Sequence, residues 1–214
     1  MQAKLLLEEI RSWLAPLNEK ILGHRYIVDA EKGALSLDKI KAFAANQYYI
    51  LSGDARSLAL MLSRTTNLQE LGFFENMANA DLDGLRHLLK MTEALGLSSQ
   101  ELEDYIPIPE AVAYTHYLST LAQLASPGVQ AMALIANLPV WGSNCGRLSK
   151  ALREKYQIKE TSFLDLFSAP TDGMEAEALQ IVDCYLPEEE KHARRAARFI
   201  QAYELMFWDG IYRG

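Results

Sequence analysis

Apolar residues recur at three- and four-residue intervals along almost the whole chain, and no stretch alternates apolar with polar residues. Leu6, Ile10, Leu14, Leu17 and Ile21 set the pattern, and Ile40, Phe43, Gln47, Leu51, Ala55 and Leu58 repeat it. That period places one apolar stripe on each helix, whereas a half-buried strand needs a period of two. The spacing therefore predicts an all-α chain, and proline, glycine and capping residues mark its breaks. Gly23-His24 ends a first helix that carries Pro16 as a kink. Ser36 caps a second helix, with Asp38 in its first turn, and this helix runs to about Arg64. Leu68 to Leu95 forms a further helical region that Gly72 and Gly84 divide and Gly96 closes. Ser98-x-x-Glu101 is a capping box, and Pro109 opens a helix that runs to about Ala125. After Ser126-Pro127-Gly128 comes an apolar helix in which Pro139 predicts a kink. Phe163 to Tyr185 is helical with a weak point at Pro170 and Gly173. Leu186-Pro187 starts the last helix, with Glu188, Glu189 and Glu190 in its first turn. Roughly seven to nine helices result, in one domain over residues 1–214 with room for a cavity between them.

The formal net charge of -7 argues against nucleic acid or an anionic membrane surface as a partner. His192-Ala193-Arg194-Arg195 is the nearest approach to a basic patch, and it reads as a solvated helix face. The two cysteines, Cys145 and Cys184, form no C-x-x-C pattern and imply no disulfide framework. The opening M-Q-A-K-L-L-L-E-E-I does not read as a secretory leader, and no unbroken apolar run approaches a span of about 18 residues. A cytoplasmic location is expected. No phosphate loop, G-x-S-x-G or zinc spacing is present, and no cofactor is expected.

One acid breaks the pattern. On a helical wheel of the last helix, Phe199, Ile200, Tyr203, Phe207 and Ile211 share one arc, and Glu204 falls inside it. A carboxylate on a core-facing arc must be hydrogen-bonded, protonated or turned towards a cavity. Burial raises its pKa, which suits a general acid or base near neutrality. The alternative is a core acid at the arc's edge, paired with a Tyr or Arg or reaching solvent. Asn46-Gln47-Tyr48-Tyr49, Tyr114-Thr115-His116-Tyr117, Asn137 and Asn144 also lie in apolar helices. They read either as satisfied core groups or as the polar walls of a small-molecule pocket.

The closing F-I-Q-A-Y-E-L-M-F-W-D-G-I-Y resembles the C-terminal signature of the TenA (thiaminase II) family, an acid followed by an aromatic-Trp-Asp run. A-Y-T-H-Y-L at 113–118, L-P-V-W at 138–141 and N-Q-Y-Y at 46–49 resemble three further segments of that family, in the same order. The resemblance implies a heme-oxygenase-like helical fold with a central pocket, hydrolysis of thiamin-related aminopyrimidines, and assembly as dimers or tetramers. It matches Glu204 to the family's catalytic acid and Tyr49 and Tyr114 to pocket tyrosines. Asn46 stands where an Asp reads the pyrimidine, and Val140 stands at the nucleophilic Cys. Asn144 and Phe167 stand where pocket tyrosines are expected, and Phe207 completes the expected lining.

Val140 cannot attack a substrate, and Cys145 lies about 140° round the helix from it. Two readings follow: a hydrolase in which water replaces the thiolate, or a protein that binds a small heteroaromatic ligand without turnover. A third comes from F-A-A-N-Q-Y-Y-I-L and H-L-L-K-M-T-E-A-L-G-L, which resemble the PqqC and CADD branches of the same fold. Some members of those branches are di-iron oxidases. Here His87 matches one ligand, but Ala80, Ser168 and Glu175 stand at other ligand positions, and Glu189-x-x-His192 is an isolated motif. No metal site is therefore assigned. His24 is a candidate proximal ligand for a heme-oxygenase reading, which the pocket motifs favour less.

Overall fold

A computed structural model describes residues 2–214. Among these residues there are ten α-helices and no strand. The long ones are α1 (Gln2–Leu22), α3 (Leu37–Ser63), α4 (Leu68–Ala94), α6 (Pro109–Leu124), α7 (Pro127–Lys155) and α10 (Glu190–Arg213). The short ones are α2 (Arg25–Glu31), α5 (Ser99–Asp104), α8 (Ser162–Phe167) and α9 (Asp172–Asp183). The all-α expectation holds. The count exceeds the expected range because α2 is a separate helix and the Phe163–Tyr185 region is two.

The caps lie where the sequence places them. Ser36, Ser98 and Ser126 each accept from the backbone N–H three residues on, and Glu101 closes the capping box on Ser98. Three expectations change. Gly72 and Gly84 do not divide α4. A Cβ at Gly84 would lie 2.8 Å from the Phe167 ring, so this glycine admits a close approach by α8. The last helix begins at Glu190 and not at Leu186. The chain turns first, through bonds from Glu189 N to Tyr185 O at 3.1 Å and from Glu190 N to Pro187 O at 3.1 Å. His24 proves to be the N-cap of α2. Its Nδ1 accepts from Tyr26 N at 3.1 Å, and Nε2 lies 3.2 Å from Asp209 Oδ1.

Helix α7 runs unbroken through Pro139. Proline leaves the carbonyl four residues earlier without its donor. That carbonyl, on Ile135, accepts instead from Arg11 Nη2 at 3.3 Å. Arg11 is itself held by Glu175 at 2.6 Å, so α1 and α9 together satisfy the gap in α7.

Helix α7 packs against α1, α2, α8, α9 and α10, while α10 also lies along α6, and α3 along α4 and α6. The core has two lobes. One gathers Leu7, Phe73, Phe74 and Met132; the other gathers Phe43, Phe163, Phe207 and Trp208. Phe43 is fully buried, stacked on Trp141 and Trp208 and edge-on to Phe207, with ring centroids 5.9–6.5 Å apart. Phe43→Ala should cost about 3–5 kcal/mol in a denaturant melt. Leu124→Ala, at a site 81% exposed, should stay within about 0.5 kcal/mol. Equal effects would contradict this assignment of the core.

Candidate functional site

A cavity of about 290 Å³ opens between α3, α4, α6, α7, α8 and α10, with the α8–α9 loop over one side. Its wall is mostly apolar, and Trp141, Phe163, Phe167 and Phe207 supply aromatic faces. Glu204 lines it although the residue is 3% exposed. Oε2 of Glu204 accepts from Asn137 Nδ2 at 2.5 Å, and Oε1 accepts from Trp208 Nε1 at 3.2 Å. Asn137 Nδ2 also donates to Gln201 Oε1 at 2.7 Å, and Gln201 Nε2 donates to Asn18 Oδ1 at 2.6 Å. The amide row fixes which way each group points. Both protein partners of the carboxyl are donors, so a proton on Glu204 has no protein acceptor among the described residues and faces the cavity. Burial pushes Glu204 up to about 8, against the opposing pull of the Trp208 and Asn137 bonds.

Two further acids line the same cavity. Asp54 of α3 and Asp81 of α4 are both buried. Burial pushes Asp81 up to about 7. Burial and then the neighbouring Asp81 charge raise Asp54 well above the carboxylate range, while the Thr115 hydroxyl, which donates to Asp54, opposes this. Tyr114 is raised by burial and by all three acids, so its hydroxyl lies within their fields.

The expected site residues divide. Glu204, Tyr114, Phe167 and Phe207 line this cavity, whereas Asn46, Tyr49, Val140 and Asn144 do not. Asn46 pins a loop: its Nδ2 donates to Ala42 O at 2.8 Å and Tyr105 Oη at 2.9 Å, and its Oδ1 accepts from Ile108 N at 3.0 Å. Asn144 donates to Ile21 O at 3.1 Å and so caps the end of α1. Tyr49 is 42% exposed and lies 3.2 Å from His116 Nε2 in an outer groove between α3 and α6. Val140 is buried beside the cavity wall.

The residues that do face the cavity are in several cases immediate neighbours: Gln47 instead of Asn46, Ile50 instead of Tyr49, Trp141 instead of Val140. One residue is about 100° on a helix, enough to exchange cavity for core. Asp54 was legible by the reasoning that found Glu204, since it lies seven residues after Gln47 on the same face. Cys145 is fully buried, and burial followed by the Glu204 charge pushes its thiol well up, so it is no ready nucleophile. His87 Nδ1 lies 2.9 Å from Ser162 Oγ, and among the described residues no three His, Cys, Asp or Glu side chains are grouped to hold a metal ion. No helix among them is long and apolar enough to cross a membrane.

This arrangement of helices is the heme-oxygenase-like fold. A Shewanella denitrificans domain described by that fold superposes with a TM-score of 0.82 at 14% identity, over 97% of this chain and 92% of that one. A TenA homologue from Pyrococcus furiosus gives 0.81 at 20% identity, over 97% of this chain and 100% of that one. Residues 11–214 match the TENA/THI-4/PQQC family, and the chain belongs to it. The aminopyrimidine aminohydrolase of Halalkalibacterium halodurans is 30% identical over 112 residues. That match covers 52% of this chain and only 50% of the relative.

The three raised acids set the pH dependence of stability. A carboxyl whose pKa rises on folding binds more protons folded than unfolded, so stability falls as pH climbs from the unfolded to the folded value. The thermal midpoint should therefore drop between about pH 4.5 and about pH 8, the ordinary and buried values of Glu204. Glu204→Gln should flatten the upper part of that drop. A midpoint that rises steadily from pH 5 to pH 8 would contradict the burial of these acids.

Proposed function

We propose that the chain is a hydrolase of thiamin-related aminopyrimidines, built as one domain over residues 1–214, with Glu204 as its general acid. The observation that carries this is the carboxyl of Glu204, held on both oxygens by donors and turned into an aromatic-walled cavity. A group pushed up to about 8 keeps its proton near neutrality and can deliver it. In the proposed step, water adds to the carbon that bears the leaving nitrogen. A C–O bond forms, the C–N bond breaks, the departing nitrogen takes the Glu204 proton, and the water gives one back to the carboxylate. Phe207, Phe167 and Trp141 offer faces for a flat ring, and Tyr114 and Gln47 offer polar groups at its edge. The activity named for the Halalkalibacterium halodurans relative supports the substrate class.

One observation favours a second reading, a binding protein without turnover. Val140 stands where the resemblance expects a nucleophile, and the buried Cys145 thiol does not replace it. Incubation with thiamin and with aminomethyl-pyrimidines separates the two. The hydrolase should release product, and Glu204→Gln should lose about 10²–10⁴-fold of the rate while keeping its helical signal. A folded wild-type protein that turns over neither compound would leave only the binding reading.

A further inference from the structure

The polar groups of the cavity are unbalanced in charge. Three carboxyls line it, those of Asp54, Asp81 and Glu204, and no Lys, Arg or His does. Glu204 has its two protein donors, and Asp54 has the Thr115 hydroxyl. Asp81 is different. It is 8% exposed, lines the cavity, and accepts no hydrogen bond from any described residue. The Gln47 amide, on a residue 4% exposed, also reaches the cavity without a protein partner, and so does the Tyr114 hydroxyl. Among the described residues no buried side-chain polar atom is sealed off without a bond, so these groups look onto open cavity space.

Buried acceptors normally have a hydrogen-bond partner, from the protein, ordered water or a ligand. A pair of neighbouring buried acids without a cation is costly, because burial disfavours both charges and the Asp81 charge opposes ionisation of Asp54. A ligand that brings N–H donors and a positive charge relieves both penalties at once. The aromatic wall suits the same ligand, since a cation is attracted to ring faces once water is excluded.

We propose that the Asp54–Asp81 pair is a recognition site for a flat organic cation of amidinium type, whose N–H groups donate to Asp81 and Asp54 while its ring lies among Trp141, Phe167 and Phe207. This names the charge state of the ligand and rests on the proposed reading of the cavity as the ligand site. It assigns selectivity to α3 and α4, on the wall carrying Asp54 and Asp81, and leaves Glu204 on α10 free for proton transfer. Asp54 and Asp81 are ligand-binding residues in this scheme.

Calorimetric titration with benzamidine, a flat amidinium, and with benzamide, its neutral isostere, tests this without requiring turnover. The wild-type protein should bind benzamidine at least about tenfold more tightly than benzamide, since one charge-assisted bond is worth about a decade of affinity. Asp81→Asn should erase the preference and leave benzamide binding unchanged. Its fold should be secure, because the change removes a buried charge and keeps the volume, and Asp54→Asn supplies a second variant. Equal affinity for the two probes, no binding of benzamidine, or a preference that survives both variants would overturn the proposal. A clear preference in a protein that turns over no thiamin-related compound would sink the hydrolase reading and leave this one standing. Turnover without any preference would do the reverse.

Discussion

Helix α10 seats on α7 through a row of buried amides. Asn137 of α7 donates to Gln201 and Glu204 of α10, and Gln201 in turn reaches Asn18 of α1. A one-residue shift of α10 would break all three bonds, and one of α7 would break the two from Asn137, leaving buried polar groups unpaired at a cost of about 1–3 kcal/mol each. The row therefore sets the register of the central helices, and with it the position of every residue that α7 and α10 present to the cavity. The aromatic lobe around Phe43 and Trp208 adds apolar stabilisation without specifying register so tightly.

Fold and site are opposed here. A core this apolar would be more stable without Asp54, Asp81 and Glu204, each of which is pushed towards its neutral form by burial. The fold holds two of them through hydrogen-bond partners: Asn137 of α7 and Trp208 of the same helix for Glu204, and Thr115 of α6 for Asp54. Among the described residues Asp81 has no hydrogen-bond partner. Local conflicts of this kind are expected where function and stability compete.

Local chemistry was largely legible in the sequence. Ser36, Ser98 with Glu101, Pro109 and Ser126 declare their helix starts because capping is decided within four residues. Glu204 was legible because its neighbours on one turn are apolar. What the sequence did not reveal is helix phase and distant partners. The resemblance placed Asn46 and Val140 at the pocket, and the cavity meets Gln47 and Trp141. Asn144 looked like a pocket group, but its partner is the carbonyl of Ile21, 123 residues away. The donor for the Ile135 carbonyl below Pro139 is Arg11, 124 residues away. A wheel built on one helix cannot assign such bonds.

The central claim is that Glu204 is a buried, cavity-facing acid that keeps its proton near neutrality. A carbon-13 NMR titration of the glutamate side-chain carboxyls measures this directly, with Glu204→Gln assigning the resonance. The account predicts one carboxyl that titrates near 8, well separated from the rest. A Glu204 resonance that titrates near the ordinary value of about 4.5 would contradict it.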